Sequence, residues 1–500
     1  MNTFVEALTQ MQEVRNNLKR TENGALAYSS TMDKVYDMFA FGGAYRNRTD
    51  DEVIALYANA YAQSPVLATK CLFYLRDVRG GQGERRFFRV AFKWLIRNHE
   101  EVARKLLSLI AEYGRWDDLI DVCYGTNLWM AAIAIIAARL NKDLSDEEEC
   151  SLLAKWMPSI NASSKETKKK AYAIASSLGM SPRVYRKILS HLREKINVLE
   201  CLMSANKWAD IEFDKIPSKA GLLYEDAFQR RDIIREKYSN FMASDDTKVN
   251  AKTLYPYEIV NKVIYGDNAI KNAALDKYWK NLPDYFNGKS NSMMCVCDTS
   301  GSMTWSGYNN ILPIDVAISL SIYAAEHNKG PFKNYYISFS SHPQFIKIKG
   351  RDIREKVESI RAKSLIADTN LEAVFDLLRI GCINKQWDPE DMPKTLVIIS
   401  DMEINEGIEE LEWRTDKAAI KGLMESIRDI WIAEGLEAYF PRLVYWNVNA
   451  RNNTILDMGP DVSYVSGCSP VLFEQVVSGK NGYDLMFDKL LSERYNAIEF

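Results

Sequence analysis

Three oxygen-bearing side chains lie close together in the sequence DTSGS at residues 298–302. Asp298, Ser300 and Ser302 occupy alternate positions on a short segment that contains Gly301. A tight turn there would let their oxygens converge on one point. Carboxylate and hydroxyl oxygens are the ligands that hard cations such as Mg²⁺, Mn²⁺ and Ca²⁺ prefer. The segment therefore predicts part of a divalent-cation site.

Two later segments supply further oxygens. Thr369 lies in the sequence DTNL (368–371) before a predicted helix, and Asp401 follows the apolar run TLVIIS (395–400). The competing interpretation is that the DTSGS side chains only bond the backbone of a turn and a helix cap, which leaves these two residues unexplained. We expect Mg²⁺ first, with Mn²⁺ or Ca²⁺ as alternatives. The predicted cation ligands are Asp298, Ser300, Ser302, Thr369 and Asp401.

The elements that must position these residues alternate between strands and helices after residue 291. Such alternation predicts a parallel, doubly wound α/β sheet, which binds ligands at the carboxyl ends of its strands. Both DTSGS and Asp401 directly follow a predicted strand. The predicted strands are Ser292–Asp298, Asn334–Ser340, Thr395–Asp401, Pro441–Val448 and Val462–Ser466, and the predicted helices are Ile311–His327, Asn370–Ile380, Ile408–Ile432 and Asp484–Arg494.

Residues 1–288 have a helical pattern almost throughout. Apolar residues recur at helical spacing in segments such as 50–63, 85–114 and 130–157, and the connections between them are short. No repeat of fixed period is present, so stacked antiparallel helix pairs in a degenerate HEAT-like array are the economical prediction. The predicted fold class is thus multidomain α + α/β, with a helical-repeat domain at 1–288 and a doubly wound domain at 291–500.

Composition limits the kinds of site that the chain can carry. No apolar run is long enough to span a bilayer, and the N-terminus has no signal sequence, so we expect a cytoplasmic protein that does not enter membranes. The eight cysteines are scattered, which predicts reduced thiols without disulfides, and the four histidines have no zinc-ligand spacing. The net charge of −3 conceals an asymmetry: residues 1–290 carry +6 and the remainder −9.

Two basic clusters in the helical part are candidates for contacts with RNA phosphates. Residues 165–195 are rich in Lys and Arg, and they include Tyr172 and Tyr185, on which RNA bases could stack. A second cluster of basic residues surrounds the Gly-rich segment 80–83. The alternative is that these are solvated helix faces and a helix connection; the loop matches no nucleotide-binding motif. The predicted RNA-binding residues are Lys165, Lys168, Lys169, Lys170, Arg183, Arg186, Lys187, Arg76, Arg79, Arg85 and Arg86.

Two resemblances follow from these motifs. The order DxSxS, Thr, Asp resembles the metal-ion-dependent adhesion site (MIDAS) of von Willebrand factor A domains, a Rossmann-like fold. Helical repeats followed by such a domain resemble the TROVE family, which includes the Ro autoantigen. The landmarks RDVRGGQGERR (76–86), YGRWDDL (113–119) and KWADIEF (207–213) resemble, more closely, an uncharacterised bacterial and phage family of the same build.

The TROVE resemblance implies a ring or arc of helical repeats that binds small, structured or single-stranded RNA as a ribonucleoprotein. The resemblance to the adhesion site of von Willebrand factor A domains implies that Ser300, Ser302 and Thr369 ligate the cation through hydroxyls, while Asp298 and Asp401 do so directly or through water. The alternative function is a protein adhesion or assembly module, in which the cation binds an acidic residue of a protein partner. No catalytic constellation is present, so we do not predict an enzyme. A metal-dependent nuclease is disfavoured because hydroxyls, rather than several carboxylates, dominate the site.

Overall fold

The computed structural model describes residues 12–13, 16–146, 150–266, 272–288, 292–305, 311–364, 369–383, 388–405 and 423–500. The chain forms two compact units. The sheet unit combines Met1–Cys71 with Tyr255–Leu491, and the helical unit combines Leu72–Leu254 with Ser492–Phe500. The predicted division at residues 288–291 differs from this grouping, because both ends of the predicted helical domain pack with the sheet.

Helices make up most of the described chain before residue 281, as the periodicity predicts. They are α1 (Lys34–Phe41), α2 (Asp50–Gln63), α3 (Pro65–Arg76), α4 (Arg85–Asn98), α5 (Glu100–Leu106), α6 (Ile110–Tyr113), α7 (Trp116–Cys123), α8 (Trp129–Ser145), α9 (Leu153–Trp156), α10 (Lys165–Ser177), α11 (Pro182–Lys195), α12 (Leu199–Ser204), α13 (Ser218–Arg230), α14 (Asp232–Ala243), α15 (Pro256–Tyr265) and α16 (Asn272–Lys280).

Local sequence signals mark the start of the two helices that carry the basic cluster of residues 165–195, called the main basic cluster below. The Ser164 side chain accepts a hydrogen bond from the backbone N–H of Thr167 at the start of α10, and Ser181 does the same for Val184 in α11. Both are N-cap bonds, and Pro182 occupies the first turn of α11, where its missing N–H costs nothing. Each helix buries an apolar stripe and leaves its charged face outside, which fixes where the basic residues point.

The C-terminal residues complete the helical unit. The Arg494 guanidinium binds the buried carboxylate of Asp77, with 2.7 Å between Arg494 Nη2 and Asp77 Oδ1. The ring of Tyr495 stacks on Tyr113 with centroids 5.6 Å apart, and its hydroxyl donates to Asp77 Oδ2 at 3.1 Å. The sequence pattern gave no sign of this return, because the segment is short and lacks an apolar run.

A six-stranded sheet forms the centre of the other unit. Its strands are β3 (Met293–Asp298), β4 (Tyr335–Phe339), β5 (Phe345–Lys347), β6 (Thr395–Ser400), β7 (Arg442–Asn447) and β8 (Val462–Ser466), in the order β5-β4-β3-β6-β7-β8. All neighbours are parallel except β4 and β5. The predicted parallel sheet is therefore confirmed, with an antiparallel edge strand added at β5.

Helices follow the strands as the alternation predicts. They are α17 (Pro313–His327), α18 (Ile353–Arg361), α19 (Leu371–Ile383), α20 (Leu423–Ala433), α21 (Leu472–Val476) and α22 (Gly482–Leu490). The predicted helix 408–432 lies outside the described residues up to position 422. Strands β3 and β6 are buried along their whole length, including Cys295 and Cys297, so they read as continuous apolar runs.

Two short strands near the N-terminus form a hairpin that belongs to the sheet unit. Strands β1 (Leu18–Arg20) and β2 (Leu26–Tyr28) pair antiparallel, and Tyr28 exchanges backbone hydrogen bonds of 2.7 and 2.9 Å with Ile455. The Thr21 hydroxyl donates to the Ile404 carbonyl at 2.5 Å. This places the hairpin against the loop after β6, although the sequence assigned it to a helical domain.

The composition predicts reduced thiols and no membrane-spanning segment. All eight cysteines are free thiols, as predicted. In the described part of the chain, no helix is both long and apolar enough to cross a membrane.

Candidate cation site and nucleic-acid surface

The DTSGS turn forms a polar cluster where β3 ends. The carboxylate of Asp298 is fully buried and accepts two hydrogen bonds, from the Ser300 N–H at 2.8 Å and from the Ser400 hydroxyl at 2.6 Å. The hydroxyl oxygens of Ser300 and Ser302 lie 3.1 Å apart. Because β3 and β6 are parallel neighbours, their carboxyl ends meet, and this brings Ser400 and Asp401 beside the turn.

Asp401 is the second buried carboxylate of the cluster. Its Oδ1 accepts from the Glu403 N–H at 3.3 Å, whereas its buried Oδ2 accepts no hydrogen bond from the residues that the structure describes. The guanidinium of Arg451 lies 3.8 Å from Oδ2, beyond hydrogen-bonding distance. Burial raises the pKa of Asp401, and the nearby charge of Asp298 raises it further, while a hydrogen bond to Ser302 opposes the shift. Burial also raises the pKa of Asp298.

Thr369 contacts the loop that follows Asp401. Its hydroxyl donates to the Glu403 carbonyl at 2.9 Å and to Asn405 Oδ1 at 3.1 Å. Asp368, which precedes it in the sequence motif, lies outside the described residues. The structure thus brings Asp298, Ser300, Ser302 and Asp401 into one cluster and places Thr369 on the adjoining loop.

These residues suit a divalent cation. The buried carboxylates of Asp298 and Asp401 repel each other, and one Asp401 oxygen has no donor among the described residues. A cation would relieve both the repulsion and the unmet acceptor. In the part of the chain that the structure describes, no group of three or more His, Cys, Asp or Glu side chains is placed to hold a metal. A cation here would therefore depend on the hydroxyls of Ser300, Ser302 and Thr369, as the sequence predicts.

We predict that millimolar Mg²⁺ or Mn²⁺ raises the thermal midpoint of the protein. A cation present at a hundred times its dissociation constant stabilises the folded state by about 2.7 kcal/mol, because it binds only that state. Differential scanning fluorimetry with and without EDTA measures the shift, which Asp298→Asn should abolish. Asp488→Asn changes an exposed carboxylate of the same unit and should leave it intact. An equal shift in wild type and Asp298→Asn would contradict the assignment.

The main basic cluster lies on the exposed faces of α10 and α11. Lys165, Lys169, Arg183, Arg186 and Lys187 are exposed, and Lys168 is half-buried. In the described part of the helical unit, none of the six forms a salt bridge with an acidic side chain. A surface that binds a phosphate backbone needs cations that are free to pair with phosphates, and these two helices provide them.

Other members of the cluster have structural contacts. Lys170 binds Asp121 at 2.6 Å and Glu166 at 2.9 Å. Arg193 donates to the carbonyls of Ala154 and Met157 at 2.9 and 2.8 Å. Of the two tyrosines, Tyr172 is 49% exposed, whereas Tyr185 is 1% exposed. Only the former can stack on a base.

The second basic cluster, around residues 76–89, differs from its prediction. Arg76 is 2% exposed and donates to Asp118 at 2.8 and 2.6 Å. It therefore lies in the core and not on the predicted RNA-binding surface. Arg79 donates to the Glu112 carbonyl, Arg85 lies 4.0 Å from Asp117, and Arg86 is half-buried. Arg76 thus neutralises a carboxylate of its own unit, whereas Arg79 and Arg85 keep more than half of their side chains exposed.

The fold and the polar cluster define a two-part protein, with a helical region followed by a mixed α/β sheet. The crystal structure of the Ro (RSR) protein of Deinococcus radiodurans is similar, with a TM-score of 0.50 at 13% identity over 90% of this chain and 100% of that one. At this identity the similarity shows a shared fold. The Ro-like architecture expected from the sequence is thereby supported.

The chain belongs to a family described as "Domain of unknown function (DUF2828)", which matches residues 21–124 and 128–286, more than half of its length. Residues 292–486 match a second family, "Domain of unknown function (DUF7788)". An uncharacterized protein of Acanthamoeba polyphaga mimivirus is 29% identical over 93% of this chain and 85% of its own. The closer resemblance to a bacterial and phage family stays a prediction.

The sequence did not point to several residues beside the candidate cation site. Glu403 is 1% exposed; its carboxylate accepts from the Glu22 N–H at 2.8 Å and from Asn452 at 3.0 Å. Glu22 in turn pairs with Arg451 at 2.6 Å. Of these residues, only Glu403 could have been predicted from the sequence to lie beside the site, because it follows Asp401 by two positions. Glu22, Arg451 and Asn452 come from distant segments.

Proposed function

We propose that this chain is an RNA-binding protein that holds small, structured or single-stranded RNA on the basic faces of α10 and α11. The observation that carries the proposal is a set of six cations that form no salt bridge with any acidic side chain the structure describes: Lys165, Lys168, Lys169, Arg183, Arg186 and Lys187. Elsewhere in the helical unit, Arg76 of α3 and Arg89 of α4 are paired with carboxylates. The TROVE resemblance of the sequence and the Ro-like fold support the same role.

The sheet unit contributes a MIDAS-like cation site to this proposal. Asp298, Ser300, Ser302, Thr369 and Asp401 would hold the cation, Mg²⁺ first, in a domain resembling von Willebrand factor A. A bound dication attracts an anionic group such as a phosphate or a carboxylate. Hydroxyls, rather than several carboxylates, dominate this set of residues, so the proposed role of the cation is binding and not catalysis.

We predict that the purified protein binds single-stranded RNA with an affinity that falls steeply with salt. Charge reversal of Lys165, Lys168 and Lys169 to Glu should weaken binding and lower the slope of log affinity against log salt by about 2, because each lost phosphate contact removes about 0.7 from it. Filter binding of a labelled 20-nucleotide RNA between 50 and 300 mM salt measures both quantities. This range brackets physiological ionic strength, roughly 150 mM.

A matched control separates surface chemistry from overall charge. Lys207, Lys248 and Lys252 are exposed lysines of the same unit, and their reversal to Glu changes the net charge equally. This control should retain most RNA affinity. Absence of RNA binding at low salt in the wild type would refute the proposed function. Intact RNA binding by both triple variants would refute its assignment to α10.

A further inference from the structure

Arg451 connects the candidate cation site to the N-terminal hairpin. One arm of its guanidinium, Nη1, lies 3.8 Å from Oδ2 of Asp401, the oxygen that has no hydrogen-bond donor among the described residues. The other arm, Nη2, lies 2.6 Å from Glu22 Oε2. The Asp401 carboxylate is fully buried, while the Glu22 side chain is 43% exposed. One guanidinium thus divides its charge between a buried carboxylate and an exposed one.

The backbone around Arg451 is fixed, but its side chain is accessible. The Arg48 guanidinium donates to the Arg451 carbonyl, and the Arg451 N–H donates to the Asn449 carbonyl at 2.9 Å. The neighbouring Ala450 N–H donates to the Ala44 carbonyl at 3.2 Å. The Arg451 side chain is 31% exposed. A change in its partners therefore needs only side-chain rotation toward Glu22 and solvent.

We propose that Arg451 is the internal counter-ion of Asp401 and sets the cation affinity of the site by competing for this carboxylate. The inference rests on the cation site of the proposed function. A guanidinium beside Asp401 partly neutralises it and repels an arriving dication. Glu22 has the opposite effect, because it offers Arg451 a second partner and holds it away from full contact with Asp401. Loss of each residue should therefore shift cation affinity in opposite directions.

Manganese titration followed by the electron paramagnetic resonance of free Mn²⁺ tests this directly, with the metal alone as the probe. Arg451→Met keeps most of the side-chain volume and should bind Mn²⁺ about tenfold more tightly than wild type, since a like charge is removed at close range. Glu22→Gln should bind Mn²⁺ more weakly. Arg428→Met is the matched control: Arg428 is 27% exposed and pairs with Asp457 at 2.6 Å in the same unit. Its Mn²⁺ affinity should equal that of wild type.

The outcomes separate this inference from the cation site itself. Equal or weaker Mn²⁺ binding by Arg451→Met, with binding retained in the wild type, would overturn the role of Arg451 and leave the site standing. No Mn²⁺ binding by either protein at millimolar metal would overturn the site and the inference together. Far-ultraviolet circular dichroism of each variant verifies that it is folded. Should Arg451→Met not fold, Arg451→Lys and Glu22→Gln still give the test, because Glu22→Gln affinity at or above wild type would also contradict the proposal.

Discussion

Replacement of Asp118 by Ala should lower the free energy of unfolding of the helical unit by about 3–5 kcal/mol, because it leaves a buried guanidinium without a counter-ion. Asp118 is fully buried and accepts from Arg76 Nε and Nη2 at 2.8 and 2.6 Å and from Arg89 Nε at 2.7 Å. It also accepts from the Arg115 N–H at 3.0 Å, which closes the first turn of α7.

Arg76 makes this loss severe. At 2% exposure it cannot reach water, and Asp118 is its salt-bridge partner. Arg89 suffers less, since it also binds Asp117 at 2.9 Å and contacts Asp121. The expected cost therefore comes from desolvated charge at Arg76 and from the lost cap of α7, and both are paid only in the folded state.

Urea unfolding followed by tryptophan fluorescence and circular dichroism measures the change. The control is Glu112→Ala, which removes a 63% exposed carboxylate 4.0 Å from Arg79 in the same unit. A screened surface pair of this kind is worth less than about 1 kcal/mol. Similar effects for the two variants would show that the Asp118 cluster adds no more than a surface pair.

The same residues show what sequence reasoning can and cannot reach. The sequence YGRWDDL predicts a helix that starts with carboxylates beside Arg115, and α7 confirms it, with Arg115 Nε 2.9 Å from Asp117 Oδ1. These contacts are local. The pairing of Asp118 with Arg76, 42 positions earlier, depends on how α3 and α7 pack, and no spacing rule encodes that.

The predicted strands match the observed ones closely where the strand is buried along its whole length. The predicted strand Val462–Ser466 matches β8, and the apolar runs before Asp298 and Asp401 are β3 and β6, within one residue at each end. The edge strand β5 was missed because its residues are exposed or half-exposed and form no apolar run. The hairpin of β1 and β2 was missed for a similar reason, since its three-residue strands carry charge and contact distant loops.

Clustering of charge in the sequence did not distinguish a surface from a core. Lys165 and Arg76 are both predicted RNA-binding residues, yet the first is exposed and the second is buried. Helical spacing could have separated the two tyrosines: Tyr185, Leu189 and Leu192 share the buried stripe of α11, whereas Tyr172 lies off the buried stripe of α10. Periodicity therefore predicts which face is buried, but not which charges find partners there.

Replacement of Gly81 by Ala should destabilise the helical unit by about 3 kcal/mol, because the added methyl group has no room. A Cβ at this position would lie 2.0 Å from the Tyr74 carbonyl oxygen and 2.9 Å from Asp77 Cβ. The loop is held there by its own backbone, with the Gln82 N–H donating to the Tyr74 carbonyl at 3.2 Å and the Glu84 N–H to the Leu75 carbonyl at 2.7 Å. The obstruction is backbone, which cannot rotate away.

Gly125→Ala is the matched control for this prediction. Gly125 belongs to the same unit and has nothing within 4 Å of the added Cβ, but its φ of +76° disfavours a side chain. That backbone strain costs about 1–2 kcal/mol. Thermal and urea unfolding should therefore rank Gly81→Ala well below Gly125→Ala in stability. A reversed order would mean that the 80–83 loop can move away from α3, and the Gly-rich segment would then be free to approach phosphates as the sequence first indicated.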